Sequence, residues 1–554
     1  MIKLKIYIAQ EEETLIHIAR KHHVNLDEVI FQNPHIVSPD TNIGGEKVRI
    51  PSPAIAVRRQ INLPTCPFGY SEEPLDHWIP TVPLENMAET EYDVIIVGSG
   101  AGGGAVLWRL CEKWAKNGKR IGIIEAGDLL LPTHAQNLIT MNSARFSNYL
   151  YNPRISTLTS KYSSQYPGAK QVFALGGKTL FWSTLTPRLD ISEIRYWPVS
   201  IREMEYYYGI AERVMNVTQE YTKGSSITEV LIKRLQEAGY PEAKYVPMAV
   251  DLQLTKYGEV HSNVFFSSIA LLARALNLRS FDLAVKARAV EVLAEQGKVT
   301  GIRVMSPEKK SYDLKAKSVV LSASSFETPR LLLNSGIQGP AIGHYLTNHS
   351  FVRASAKINL KRLSEVMGSL GILVPQRENR PYQIQIHGPG GFFWYHPVQD
   401  KPIQEEWEIG FAGFGKVESR VENRITLHPN QRDEFGVPVM QIHFSYSKKD
   451  KMVIHQMTEA IQQVSNIMGT PLISRGGHPV CMMPIGSDFH ESGTCRMGED
   501  PDFSATDRYG QIHGISGLYV ADNSVLPSIG AANPVLTIVA LAIRTADYMS
   551  KQIQ

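Results

Sequence analysis

Five glycines fall within seven residues of the stretch "VGSGAGGG", and three of them, Gly98, Gly100 and Gly103, have the spacing GxGxxG. Backbone without side chains can lie against a ligand. In this spacing the first glycine permits a tight bend, the second lets the chain approach a pyrophosphate, and the third lets a helix and a strand pack closely. Glu125 follows Gly103 by 22 residues, where an acidic residue holds a ribose hydroxyl. The chemistry indicated is the binding of a dinucleotide, and these residues do not choose between NAD and FAD.

Positioning such a set takes a strand, a turn and a helix. Residues 91–97 form an apolar run with the β-branched content of a buried parallel strand, and "AVLWRLCEKWAK" has helical apolar spacing. The helix is expected to stop at Asn117-Gly118, and "KRIGIIEAG" supplies a second strand ending at Glu125. The start of the helix would then point its free N–H groups and positive dipole end at the phosphates.

The whole chain sets the frame. At 554 residues it is long enough for about three or four compact units. With 43% hydrophobic and 20% charged residues, it has the balance of a soluble globular protein. A net charge of +3 leaves no electrostatic footprint for nucleic acid. Four scattered cysteines without a CxxC pair argue against a zinc site and against a disulfide framework. Acidic residues and a histidine stand where a signal peptide needs its apolar stretch, and no run approaches the roughly 18 apolar residues of a membrane span. The expected location is cytoplasmic, unless the chain leaves by a non-classical route.

Residues 1–52 read as their own unit in the order strand, helix, helix, strand: "KIYIAQ", "ETLIHIARKHHV", "NLDEVIFQNP" with Asn25 as N-cap, and "EKVRIP". Through Thr14-Leu15, Asn33-Pro34 and the ending "GGEKVRIP", this unit resembles a LysM module. It departs from the pattern at Glu12-Glu13, where the family has Gly-Asp. The resemblance implies binding of glycans that contain N-acetylglucosamine, and the other reading is a relic that only packs on the catalytic body. Residues 53–90, rich in proline, read as a linker.

Four further motifs follow in order: "ALGGKTLFWSTLTPRLD", "SVVLSASSFETPRLLLNSG", "HESGTCRMG" and "GLYVADNSVLPSIGAANPVLTIVALAIRTADYM". With the glycine loop, they resemble the glucose-methanol-choline oxidoreductase family over about residues 90–554. The resemblance implies an α/β fold with FAD in a Rossmann-type domain assembled from residues 91–195, 282–345 and 481–554. Residues 196–281 form a helical and substrate-domain segment, and residues 346–480 a substrate domain on an antiparallel sheet. Alternating strands such as "YQIQIHG" and "NRITLHP", with a turn at "DEFGVP", fit that sheet.

Within the family, "GGKTLFWSTLTPR" is most similar to the pyranose oxidase branch, some members of which carry a histidine bonded to the flavin just before the tryptophan. Phe181 stands there, which implies non-covalent FAD. The resemblance places Gly176 and Gly177 against the flavin ring, Trp182 and Ser183 near it, and Asp522 at its phosphate or ribityl region. It makes His490 the active-site base and Asn533 its partner. An imidazole can take a hydroxyl proton near neutral pH, and a neutral amide can donate to the substrate oxygen. Pro534 would lie in the first turn of the last helix, whose positive end would face the flavin. The aromatic run "GPGGFFWYHP" at 388–397 reads either as ordinary strand core or as a sugar-binding wall, and in the second reading Gln383 and Gln385, on one face of a strand, would contact substrate hydroxyls.

The expected activity is FAD-dependent oxidation of a sugar or glycoside hydroxyl, with His490 taking the hydroxyl proton while hydride passes to the flavin and oxygen or a quinone reoxidises it. Two other readings are a glycan-binding protein that uses the flavin body as scaffold and a redox-neutral flavoprotein lyase.

Overall fold

The computed structural model describes residues 4–52, 78–252, 264–359, 369–388 and 406–553. The chain divides into two compact units, Met1–Leu75 and Asp76–Gln554.

In the first unit the strands Leu4–Ile8 and Lys47–Pro51 pair antiparallel around the helices Leu15–Lys21 and Leu26–Gln32. The Thr14 hydroxyl accepts from the His17 N–H and the Asn25 side chain from the Asp27 N–H, so each helix start has a side-chain partner. Leu15, Ile18, Val29, Val48 and Ile50 form the small core. The buried Asn33 holds the second helix to the closing strand, donating to the carbonyls of Val29 and Arg49 and accepting from the Arg49 N–H. The strand-helix-helix-strand order is as the sequence indicates.

The second unit begins earlier than expected. Ile79, Leu84 and Met87 are buried, and the short helix Leu84–Ala88 packs in the main core. Residues 78–90 therefore belong to the large unit and not to a linker, while residues 53–77 lie outside the described residues. The reason is plain in the side chains: these apolar residues join the main core, where the helix packs on the strand Ser311–Leu321 and the Met87 methyl reaches Gly122.

Five parallel strands form the centre of this unit, in the spatial order β3 (Asp282–Ala284), β2 (Ile121–Ile124), β1 (Glu91–Val97), β6 (Ser311–Leu321) and β11 (Leu518–Val520). The antiparallel strands β4 (Arg288–Glu295) and β5 (Lys298–Met305) extend the sheet from β6. Three separated stretches of chain thus build one sheet. The helix α1 (Ala101–Lys113) packs on β1, and α4 (Val535–Gln552) packs on α1. Both faces are covered, so β1 is buried along nearly its whole length.

The second sheet is antiparallel, in the order Cys481–Met482, β7 (Ser350–Asn359), β10 (Glu406–Gly415), β9 (Tyr382–Gly388), β8 (Leu370–Val374) and Lys244–Tyr245. Alternation divides β9 between two environments. Ile384 and Ile386 point into a core made with α3 (Lys448–Met468) and the helix Ser226–Glu237, while Gln383 and Gln385 face the other way. The register Gln383–Phe414–Phe351 and Gln385–Ala412–Arg353 runs across the strands of that opposite face. Among the described residues, no helix is long and apolar enough to cross a membrane.

Candidate active site

A cavity of about 830 Å³ lies between the two sheets, toward the upper end of the roughly 300–1,000 Å³ of small-molecule sites. One end opens at the carboxyl ends of four parallel strands: Val97–Gly102, Ile124–Ala126, Ser322–Ser325 and Asp522–Asn523 all line it. The crevice outside strand carboxyl ends is where open α/β sheets bind their ligands.

The glycines there have separate tasks. Gly98 has φ +96°, and a Cβ on it would meet the Ser322 carbonyl at 2.4 Å. On Gly103 a Cβ would lie 2.0 Å from the Gly98 carbonyl, so this residue sets the contact of helix and strand. A Cβ on Gly100 would meet nothing within 4 Å. Its bare backbone faces open cavity, and Gly177, with φ +53°, stands beside it. Gly102 was not singled out from the sequence, yet it is the most confined of the group: its Cβ would come within 1.7 Å of the Ala521 carbonyl.

Glu125 ties this floor together. Its carboxylate accepts from the Ser99 N–H and hydroxyl and from the Gly127 N–H. The Ser99 hydroxyl in turn accepts from the Gly176 N–H, so both glycine loops are linked through one buried acid. Burial raises the Glu125 pKa. Asp522 is more fully occupied. Its two oxygens accept from Ser324 N–H, Thr328 hydroxyl, and both the N–H and hydroxyl of Ser524. Expected to meet a phosphate or ribityl group, this side chain lines the cavity and also clamps the end of β11 to the start of the helix Ser324–Asn334, accepting four hydrogen bonds within the protein.

The loop after Gly177 forms a second wall. Phe181 is buried edge-on against Phe146 at 5.4 Å and offers no nucleophile to the cavity. Trp182 and Ser183 also line the wall, and the Trp182 indole donates to the Phe266 carbonyl. Pro534 is the N-cap of α4, one residue before the expected first turn, and Asn533 and Val535 on either side line the cavity. The positive end of α4 therefore faces it.

His490 and Asn533 meet at the far end of the cavity, with His490 Nε2 3.3 Å from Asn533 Nδ2. Gln383 and Gln385 hold the other end of the amide, donating to Asn533 Oδ1 at 3.0 and 2.7 Å. The two glutamines do share one face, as alternation requires, but their amides are engaged with Asn533 and only Gln385 lines the cavity. The aromatic run expected as a sugar wall lies, beyond Gly388, outside the described residues.

Two neighbours of His490 were not found from the sequence. Thr347 and Ser492 exchange backbone hydrogen bonds, which brings the segments on either side together. As a result, His349 Nδ1 lies 2.9 Å from His490 Nδ1. Asp488 Oδ2 is 3.6 Å from the same His490 atom and accepts from the His349 N–H, while Oδ1 accepts from the Asn348 amide. All three are buried. Burial drives the His490 imidazole well below its ordinary pKa and His349 down to about 3. Burial and the nearby Glu491 push the Asp488 carboxyl up to about 7.

These contacts fix a proton pattern. Because both glutamine amides donate to Asn533 Oδ1, Asn533 Nδ2 must donate to His490 Nε2. Nε2 is then the lone-pair nitrogen, and His490 Nδ1 carries the hydrogen that His349 Nδ1 accepts. A neutral imidazole with its lone pair at a cavity wall, in only a long contact with an amide N–H, is an arrangement for taking a proton from a hydroxyl while hydrogen-bonding its oxygen.

The glycine floor fits a dinucleotide on its own evidence. Bare backbone at Gly100 and Gly177 borders the space at the amino end of α1, and the amino end of α4 meets the same cavity beside Asn533.

Comparison with known proteins agrees with this geometry. The amino- and carboxy-terminal profiles of the family described as GMC oxidoreductase match residues 174–351 and 419–542. A C-glycoside 3-oxidase of Arthrobacter globiformis is 26% identical, over 70% of this chain and 76% of its own. A 2-methyl-1,2-propanediol dehydrogenase of Mycolicibacterium austroafricanum is 22% identical, over 83% and 95%. For a pyranose 2-oxidase of Tricholoma matsutake the figures are 23%, 69% and 73%. The fold is shared with a formate oxidase of Aspergillus oryzae, with TM-score 0.63 and 14% identity over 84% of this chain and 98% of that one. It is shared also with a pyridoxine 4-oxidase from Mesorbium loti, with TM-score 0.59 and 16% identity over 82% and 99%.

Proposed function

The chain belongs to the GMC oxidoreductase family, and on that premise we propose that it oxidises a hydroxyl of a sugar or glycoside with FAD as cofactor. The observation that carries the reading is the His490–Asn533 pair, set at the end of a cavity whose other end is a glycine-lined floor at the strand carboxyl ends. FAD, when bound, supplies the hydride acceptor. Gly98, Gly100 and Gly177 would hold it by backbone, with Glu125 at its ribose and the amino end of α4 against it. With Phe181 at the tethering position, it is held without a covalent bond.

The protein's own part is positioning and proton transfer. A substrate hydroxyl entering between His490 and Asn533 donates to His490 Nε2 and accepts from Asn533 Nδ2, replacing their long mutual contact. Because burial keeps His490 neutral, the lone pair is available throughout the neutral range. The named relatives act on glycosides, a pyranose and a diol, which supports a polyhydroxylated substrate. Oxygen or a quinone-type acceptor completes the cycle.

For the first unit the reading is glycan binding. Its strand-helix-helix-strand fold, the caps at Thr14 and Asn25 and the closing contact of Asn33 support a LysM-like module.

The experiment is a screen of free sugars, O-glycosides, C-glycosides and vicinal diols against the purified protein, with a dye acceptor in one series and an oxygen electrode in the other. Sugars or glycosides should bleach the bound flavin anaerobically. Bleaching by simple diols alone would replace the sugar reading, and the absence of bleaching by any alcohol would end it.

A further inference from the structure

Beside His490, at the cavity wall, lies a buried set of groups that simple proton removal does not need. Asp488 is 6% exposed and its carboxylate stands 3.6 Å from His490 Nδ1. It also accepts from the backbone N–H of His349, the residue whose ring receives the His490 Nδ1 hydrogen. His349 Nε2 faces the carbonyls of Ile529 and Gly530 without a full hydrogen bond.

When His490 takes a hydroxyl proton at Nε2, the substrate O–H bond breaks, an N–H bond forms, and a buried imidazolium results. An isolated buried cation is costly, so a counter-charge must come from nearby. The charged and titratable groups facing this spot are few. Lys178 is a cation and already paired with Glu491 at 2.7 Å. Tyr166 and Tyr446 are buried phenols held neutral, since burial raises both. Asp488 is the carboxylate that reaches Nδ1. Resting on the proposed alcohol oxidation, we infer that Asp488 is a positioning residue supplying the counter-charge for the proton that His490 accepts, with His349 holding the Nδ1 hydrogen between them.

The consequence is a reversal of the usual assignment. A rate that rises near neutral pH would ordinarily be given to the histidine base. Here the histidine is neutral far below that range, and Asp488, pushed up to about 7, is the group that changes charge there. The three side chains are close enough to titrate as one cluster.

The test follows flavin reduction anaerobically by stopped flow, from pH 5.5 to 8.5, in the parent holoenzyme and in Asp488→Asn and Asp488→Ser. The substrate is whichever sugar or glycoside bleaches the parent. An opposite charge within ~4–6 Å changes a group's proton affinity about ten- to a thousandfold. The parent rate should therefore climb with pH through about 7, and both variants should lose that limb and fall at least tenfold below the parent at pH 8. Flavin content checks that each variant is loaded, and the serine variant gives the answer if the asparagine amide disturbs the loop. A rising limb kept in loaded variants, or rates within threefold of the parent at pH 8, would overturn the inference. If no alcohol reduces the parent flavin, the proposed activity is what fails, and the two failures are distinct.

Discussion

Asn533 stands between His490 and a pair of glutamines: its Nδ2 lies 3.3 Å from His490 Nε2, and its Oδ1 accepts from both Gln383 and Gln385. An asparagine amide can turn over with little change of shape, and the two donors at Oδ1 are the short contacts that hold it. Replacing both, in Gln383→Leu with Gln385→Leu, frees the amide to present oxygen in place of N–H to the substrate. We expect a loss of about 1.5–3 kcal/mol in kcat/KM for the double variant, the scale of one misdirected hydrogen bond in a dry site. The single Gln383→Leu variant keeps one donor and should lose less than half as much. Equal losses in the single and double variants would show that the glutamines do not act by orienting Asn533.

General-base removal of a hydroxyl proton contributes about 10²- to 10⁴-fold. His490→Ala should lower the rate of flavin reduction by that factor with the cofactor still bound, because the glycine floor lies at the other end of the cavity. Asn533→Ala removes one hydrogen bond to developing charge and should cost roughly 2–4 kcal/mol. A reduction rate within threefold of the parent in His490→Ala would remove this histidine from the reaction.

What could be read in the sequence and what could not differ for a physical reason. The strand-turn-helix around Gly98, the second strand, which ends at Ile124 just before Glu125, and the face shared by Gln383 and Gln385 are local patterns that periodicity marks. The surroundings of His490 are not local. His349 is 141 residues away and reaches it only through the pairing of Thr347 with Ser492. Asp488 is two residues from His490, close enough to notice, but its burial is set by segments from elsewhere in the chain. Gly102 shows the same limit: its need for no side chain comes from the carbonyl of Ala521, more than 400 residues on. The protein partners of Asp522 and the glutamines were out of sight for the same cause, since counting a residue's own acceptors does not reveal which donors the fold brings to them.

The glycine floor permits a paired test. A Cβ at Gly100 meets nothing in the protein, whereas one at Gly102 meets the Ala521 carbonyl at 1.7 Å. Gly100→Ala should therefore fold with near-parent stability but bind FAD at least tenfold more weakly, by flavin fluorescence titration of the apoprotein. Gly102→Ala should be strongly destabilised whether or not FAD is added, by about 3 kcal/mol or more, in the range of overpacked positions. Equal flavin affinity in Gly100→Ala and the parent would place the cofactor elsewhere. Acid precipitation of the parent should leave yellow FAD in the supernatant, as Phe181 provides no tether.

The first unit has its own core and its own closing contacts at Asn33, so removal of residues 1–52 should leave flavin content and the turnover of a small sugar within a few-fold of the parent. The same deletion should abolish retention on insoluble chitin. Loss of flavin in the truncated protein would show that this unit supports the catalytic body, and unchanged chitin retention would move glycan binding to the other unit.

His349 gives the stability of the protein a defined acid dependence. Its ring is buried, with a pKa pushed from 6.5 down to about 3 by desolvation. The native state thus holds a neutral imidazole where the unfolded chain takes up a proton below about 6.5. Because the unfolded state binds more protons in the window between those two values, stability is full above pH 6.5 and falls as pH drops toward 3. Asp488 runs the other way, since a carboxyl pushed up to about 7 is protonated in the native state first. Its contribution weakens as pH rises from about 4 to 7. Comparing the parent with His349→Asn, which keeps an acceptor near the Nδ1 position, separates the two effects. The stability advantage of the parent should shrink by about 2–3 kcal/mol between pH 7 and pH 4.5, at ~1.4 kcal/mol per pH unit, measured by urea denaturation of the holoenzyme. An advantage that stays constant over this range would mean that His349 carries a proton in the native state, and with it the hydrogen between the two rings would have to be assigned the other way.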